Sequence, residues 1–263
     1  MTIAQRNNTL LFIIGISVTI LILLALAPYF LYKIGEIESI DLAYKKLWTS
    51  NNYIFGFSLV LYSVISLFIL RFSFYKTNSA EVFFFMVYLV TLIFESSRSF
   101  ILILEELNSS FVYTIFLSRV AYFSKMCGFF ALFLSALASS DIRINKFNIL
   151  TIIIVAISLM FSSAIPLSDN MLDNSYYMPG FFYHYFFTLL FIGFLAILIF
   201  VINYFQKRSS EYFYLALGMM FIIIGREITF YMASIPYFSG GMVFMIGGTI
   251  LFSYKLREIY KWD

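Results

Sequence analysis

One cysteine and one histidine among 263 residues exclude several kinds of chemistry. Cys127 has no second thiol, so an intrachain disulfide or a cysteine-held metal cluster is ruled out. His184 alone supplies neither an HExxH site nor a pair of axial haem ligands. No metal site or cofactor is therefore expected. Charge is also scarce: Asp, Glu, Lys and Arg make up 12% of the chain, against about 25% in a soluble domain. Nothing basic enough to bind nucleic acid stands out. All four prolines (Pro28, Pro166, Pro179 and Pro236) fall near the ends of apolar stretches.

What fills the chain instead is apolar. Hydrophobic residues reach 62%, aromatic residues 21%, and the mean hydropathy is +0.93. Uninterrupted apolar stretches of helical length recur, whereas the alternating pattern of a membrane barrel does not. Backbone groups in lipid must be satisfied internally, so the expected fold is all-α, a polytopic transmembrane bundle in contact with the lipid bilayer. Cys127, inside such a stretch, reads as an inert buried thiol.

Eight stretches are long enough to cross: Leu10–Lys33, Asn51–Phe72, Val82–Leu104, Phe111–Ser139, Phe147–Leu167, Gly180–Phe205, Tyr212–Ile235 and Met242–Tyr260. The connections between them are short. Residues 1–50 form an N-terminal anchor and loop, and residues 51–263 a seven-helix module. Ala25 and Ala27 are spaced as at a signal cleavage site. Pro28 directly after them is unfavourable for cleavage, so the span reads as an uncleaved anchor.

Basic residues set the expected orientation. Arg6, Arg71, Lys76, Arg143, Lys146, Lys207, Arg208, Lys255, Arg257 and Lys261 share one side. The other side has only Lys33, Lys45 and Lys46, beside Glu36, Glu38, Asp41, Glu105, Glu106, Asp169 and Asp173. Both termini are therefore expected to be cytoplasmic, at a bacterial inner membrane.

Six charges fall inside spans. The segment "LIFESSRSFILIL" holds Glu95 and Arg98, the fourth span holds Arg119 and Lys125, and the seventh holds Arg226 and Glu227. An ionised group at mid-bilayer costs about 2.5–3.5 kcal/mol, so such residues face a bundle interior and pair. At 1.5 Å of rise per residue, Glu95, Arg98, Arg119, Arg226 and Glu227 lie about 6–12 Å below the outer boundary, with Lys125 deeper. Glu95 and Arg98 share a helix face and can pair within it. Arg226 and Glu227 lie about 100° apart, so at least one reaches a neighbour. Four basic residues against two acidic ones leave a surplus that an anionic small-molecule ligand could compensate.

Weaker signals complete the inventory. His184, in "PGFFYHYFF" near the outer surface, fits an aromatic belt, with pH or ligand sensing as the alternative. Gly218 and Gly225 lie seven apart, and "GGMVFMIGGT" presents a second small face, a pattern that marks close helix packing.

From Asn51 onward the chain resembles the seven-helix module of the bacterial 7TMR-DISM receptors. The resemblance is carried by "YIFGFSLVLYSVISLFIL", "LSRVAYFSKMCGFFALFLSAL", "NYFQKRSSEYFYLALGMMFIIIGREITFYMASIP" and "GGTILFSYKLREIY". It implies a sensor that converts an outside signal into helix movement. The chain departs from that family in having no large extracellular domain before the helices. It also stops at Asp263 without a kinase, cyclase or phosphatase, so signalling would run through a cytoplasmic or membrane partner. No family ligand residue carries over.

The expected function is thus a receptor-like module with an outward-facing charged pocket. A small-anion transporter or an accessory subunit of a membrane complex is the alternative. The absence of a half-to-half repeat argues against transport. Glu95 beside Ser96 and Ser97, without a nearby histidine, is a poor catalytic set, so no enzyme is expected.

Overall fold

In the computed structural model the described residues are 3–34, 39–75, 77, 79–107, 111–140, 147–172, 176–231 and 234–260. Glu36, Glu38, Lys76, Arg143, Lys146, Asp173 and Lys261, which enter the charge asymmetry, lie outside them.

Apolar runs fold as long helices here, because in a helix every interior backbone group pairs locally, and the first of them continues through Pro28. In chain order these are α1 (Ile3–Ile34), α2 (Ile40–Thr49), α3 (Asn51–Ser73), α4 (Ala80–Phe94), α5 (Ser97–Glu106), α6 (Phe111–Ala138) and α7 (Phe147–Ala164). A hairpin of β1 (Leu167–Leu172) and β2 (Tyr176–Pro179) follows, then α8 (Phe182–Lys207), α9 (Ser210–Tyr231) and α10 (Ile235–Tyr260). Eight of these helical stretches, α4 and α5 counting as one, are long and apolar enough to cross a membrane.

Several features differ from the sequence reading. The third span is two helices, interrupted at Glu95 and Ser96. The last span starts at Ile235 and not at Met242. Pro236 explains this: proline is well tolerated in the first turn, where its missing N–H has no partner to lose. Between the fifth and sixth spans the chain forms an antiparallel ribbon, pairing Met171 with Tyr177 and Leu172 with Tyr176. That ribbon is a small departure from an otherwise all-helical fold. It is fastened to α6, where the Tyr177 N–H donates to Ser118 Oγ (3.2 Å) and the Tyr122 hydroxyl donates to the Tyr177 carbonyl (2.8 Å).

Burial sorts the helices. In the most apolar window of α6, 72% of residues are buried, against 17% for α7, so α6 is the central helix and α7 lies at the rim. α6 packs on α4, α5, α7 and α8, while α9 packs on α8 and most extensively on α10. One large core joins α3, α4, α6 and α8 to α10. A second, smaller cluster has Leu24, Ala27 and Leu31 of α1 against Leu47, Tyr53, Val60 and Val64. The Tyr53 hydroxyl also donates to the Leu24 carbonyl, so α1 docks on α2 and α3 as a partly separate layer.

Glycine spacing sets the closest contact. A Cβ on Gly218 would lie 3.1 Å from the Gly248 carbonyl oxygen, and one on Gly225 would lie 2.6 Å from that of Gly241. The approach is reciprocal: Gly248 faces the Gly218 carbonyl and Gly241 that of Gly225. Two glycines seven residues apart on α9 thus meet two with the same spacing on the antiparallel α10. Lipid tails are as apolar as leucine, so helices in a bilayer gain mainly from such close backbone packing.

Candidate functional site: a buried ion-pair layer

The site begins with the interruption of the third span. α4 ends at Phe94, and the Glu95 N–H turns back to the carbonyls of Ile93 and Leu92. The next helix begins at Ser97. Three small hydroxyl residues surround the turn, and Ser99 shows one reason for them. Its Oγ donates to the Tyr53 carbonyl (3.1 Å) on α3, and a Cβ at Gly56 would collide with that hydroxyl. Serine on α5 and glycine on α3 let the broken helix sit close to its neighbour.

Glu95 is 2% exposed and Arg226 is fully buried. Arg226 donates from Nε (3.1 Å) and from Nη2 to Glu95 Oε1, and Nη2 also reaches the Ser124 carbonyl on α6 (3.2 Å). The guanidinium carbon lies 5.2 Å from the Tyr88 ring centroid and 5.7 Å from that of Phe129. Its Nη1 has no hydrogen-bond partner and occupies the space where a Cβ on Gly128 would stand. Gly128 is therefore the residue that admits the arginine between α4, α6 and α9.

One residue on, α9 presents a second pair. Lys125 Nζ, fully buried, meets Glu227 Oε2 at 2.9 Å, and the Glu227 side chain is 11% exposed. The ammonium also lies 3.6 Å from the Tyr231 ring centroid and 4.2 Å from that of Phe230. Cation–π contact adds about 2 kcal/mol where water is excluded. Arg98 closes the layer differently. Its Nη1 and Nη2 donate to the Thr229 (3.3 Å) and Phe230 (2.6 Å) carbonyls in the last turn of α9. Carbonyls in the last turn of a helix carry partial negative charge, so a guanidinium is well placed there.

Five of the six intramembrane charges singled out from sequence thus converge: Glu95, Arg98, Lys125, Arg226 and Glu227. Arg119 does not. It is exposed, on the same stripe of α6 as Val112, Tyr113 and Phe116. Ser118, Tyr122 and Lys125 define the buried face of that helix, and Arg119 is one residue out of phase with it. Depth alone places Arg119 in the layer and Lys125 below it. The helix phase reverses the two, and α6 is long enough (28 residues) to carry Lys125 to the level of Glu227.

The charge balance changes with that correction. Three basic and two acidic residues leave a surplus of one, and the carbonyls at the end of α9 meet it through Arg98. Part of the surplus read from the sequence is therefore met within the bundle. Two grooves of about 450 and 470 Å³ indent the bundle, and none of the six charged residues lines either.

His184 is exposed on α8, edge-on to Phe181, and stands apart from the layer. Among the described residues no three His, Cys, Asp or Glu side chains cluster as metal ligands would. Cys127 is free and buried. Sequence reasoning missed Gly128, Ser124 and the ring pair Phe230–Tyr231. The available signal was their spacing: Gly128 lies three residues after Lys125, and the rings lie three and four after Glu227.

These features describe a helical protein with, among the described residues, eight apolar helices suited to crossing a membrane, one of which, α9, is joined through buried ion pairs both to α6 and to the broken third span. No family model, curated protein or solved structure matches the chain.

Proposed function

We propose that the chain is a receptor-like membrane module, with both termini on the cytoplasmic face of a bacterial inner membrane, in which α9 and α10 move together as the transmitting unit. The observation that carries this reading is the position of α9. Near its C-terminal end α9 is held by side chains from α4, α5 and α6, and along its length it is locked to α10 by glycine contacts. At the far end of α10 the Tyr260 hydroxyl donates to Glu81 Oε2 (2.5 Å) at the start of α4, where Ser79 also donates to that oxygen (2.8 Å). A change of partner in the ion-pair layer would therefore reach the basic end of α10 through a stiff hairpin. Discrete side-chain arrangements of this kind give bistable packing. The resemblance to the 7TMR-DISM module supports the same direction of signalling, with output through a partner.

The test uses nitroxide labels on exposed sites, Phe205→Cys on α8 and Tyr254→Cys on α10, in a Cys127→Ser background in liposomes. Glu95→Gln should shift the interlabel distance by about 2 Å or more, the scale of a helix displacement. An unchanged distance in folded protein would mean that the layer only holds the bundle together, and the transmitting role would be lost.

A further inference from the structure

α3 and α10 run parallel. Phe55 stacks on Phe238 with ring centroids 3.9 Å apart, and seven residues further along α3 the Tyr62 hydroxyl bonds to Thr249 of α10. The groove of about 450 Å³ between them extends from Ser58 to Ser73 on one helix and from Met242 to Arg257 on the other. Ser73 and Arg257 therefore lie at the same end. The walls are exposed aliphatic side chains, Leu61, Ile65 and Ile69 facing Ile246 and Ile250. On the floor, the hydroxyls of Tyr62 and Thr249 satisfy each other and Ser253 donates to the Thr249 carbonyl (2.6 Å). An apolar occupant would leave none of these groups unpaired.

The length and lining suit the occupant. Fifteen residues of rise make the groove about 22 Å long. One extended hydrocarbon chain can lie along its aliphatic walls over that length. The charge selects the headgroup. Arg257 is exposed and has no ion-pair partner among the described residues, while the neighbouring Lys255 is engaged by Glu258 at 2.5 Å. We propose that this groove seats one acyl chain of an anionic phospholipid, with its phosphate at the Arg257 guanidinium. The second groove, between α1, α4, α6 and α7, has no cationic residue in its lining and serves as an internal control.

The experiment reconstitutes the full chain in nanodiscs of equal phosphatidylglycerol and phosphatidylcholine, and counts retained lipids by native mass spectrometry after release into detergent. Wild-type protein should retain phosphatidylglycerol preferentially. Arg257→Gln should lower the ratio of phosphatidylglycerol to phosphatidylcholine about fivefold, the contribution of one basic residue at an anionic surface. Ile250→Trp, which fills the groove from an exposed position, should abolish the retained lipid. Val155→Trp in the second groove should leave the ratio unchanged. Equal retention of both lipids by the wild type, or an unaltered ratio in Arg257→Gln, would overturn the proposal. So would a retained second polypeptide that Ile250→Trp displaces, since it would assign the groove to a protein helix. If Ile250→Trp fails to fold, the Arg257→Gln ratio decides alone.

Discussion

α9 meets its neighbours in two different ways. Toward α4, α5 and α6 it presents charge, and toward α10 it presents glycine. Both contacts bring helices together without a hydrophobic driving force, but they fail for different reasons. On the charged side the danger is an unpaired ion in a dry interior, so the energy depends on both partners being present. On the glycine side the danger is steric, so a single added methyl group is felt wherever the backbones already touch. The first contact depends on a particular partner, and the second on shape.

Removing one partner of the best-buried pair should have the largest effect. Arg226→Met leaves Glu95 buried and uncompensated, so unfolding free energy in detergent should fall by about 3–5 kcal/mol. Next comes the seam. Gly225→Leu drives a side chain against the Gly241 carbonyl, where even a Cβ lies at 2.6 Å. Thermal denaturation should register a loss of about 1–3 kcal/mol, the usual scale of overpacking.

Lys125→Met should cost less than Arg226→Met, about 1–2 kcal/mol, because its partner Glu227 is partly exposed and water can take over the charge. At the bottom of the scale are Gly240→Ala and Gly247→Ala. Each lies one residue before a seam glycine, and each has nothing within 4 Å of a built Cβ. Both should be neutral or stabilise the helix by up to about 1 kcal/mol. A cost at Gly247→Ala as large as at Gly225→Leu would show that the steric penalty is not confined to the glycines of the α9–α10 seam.

Much of this was legible in the chain. Apolar length marked the helices, and the glycine spacing marked faces for close packing without naming their partners. Charges inside apolar sequence marked the layer, because few places in a bilayer tolerate them. What failed had a physical cause in each case. Rise per residue places a group in depth but not around the helix axis, so Arg119 was put inside and Lys125 below. The exposed run Val112, Tyr113 and Phe116 shares the phase of Arg119. The interruption at Glu95 was hidden because glutamate and serine do not break helices as proline does. The ribbon after α7 is too short to show a period. Pro236 looked like the end of a span, although proline starts helices as readily as it follows them.

A double-mutant cycle on Glu95→Met and Arg226→Met tests the central claim most directly, with unfolding free energies measured in one detergent. The account predicts that the double variant loses less than the two single variants together, with a coupling of about 2–3 kcal/mol. Single effects that simply add would contradict it, because two side chains that do not hold each other in the interior have nothing to restore.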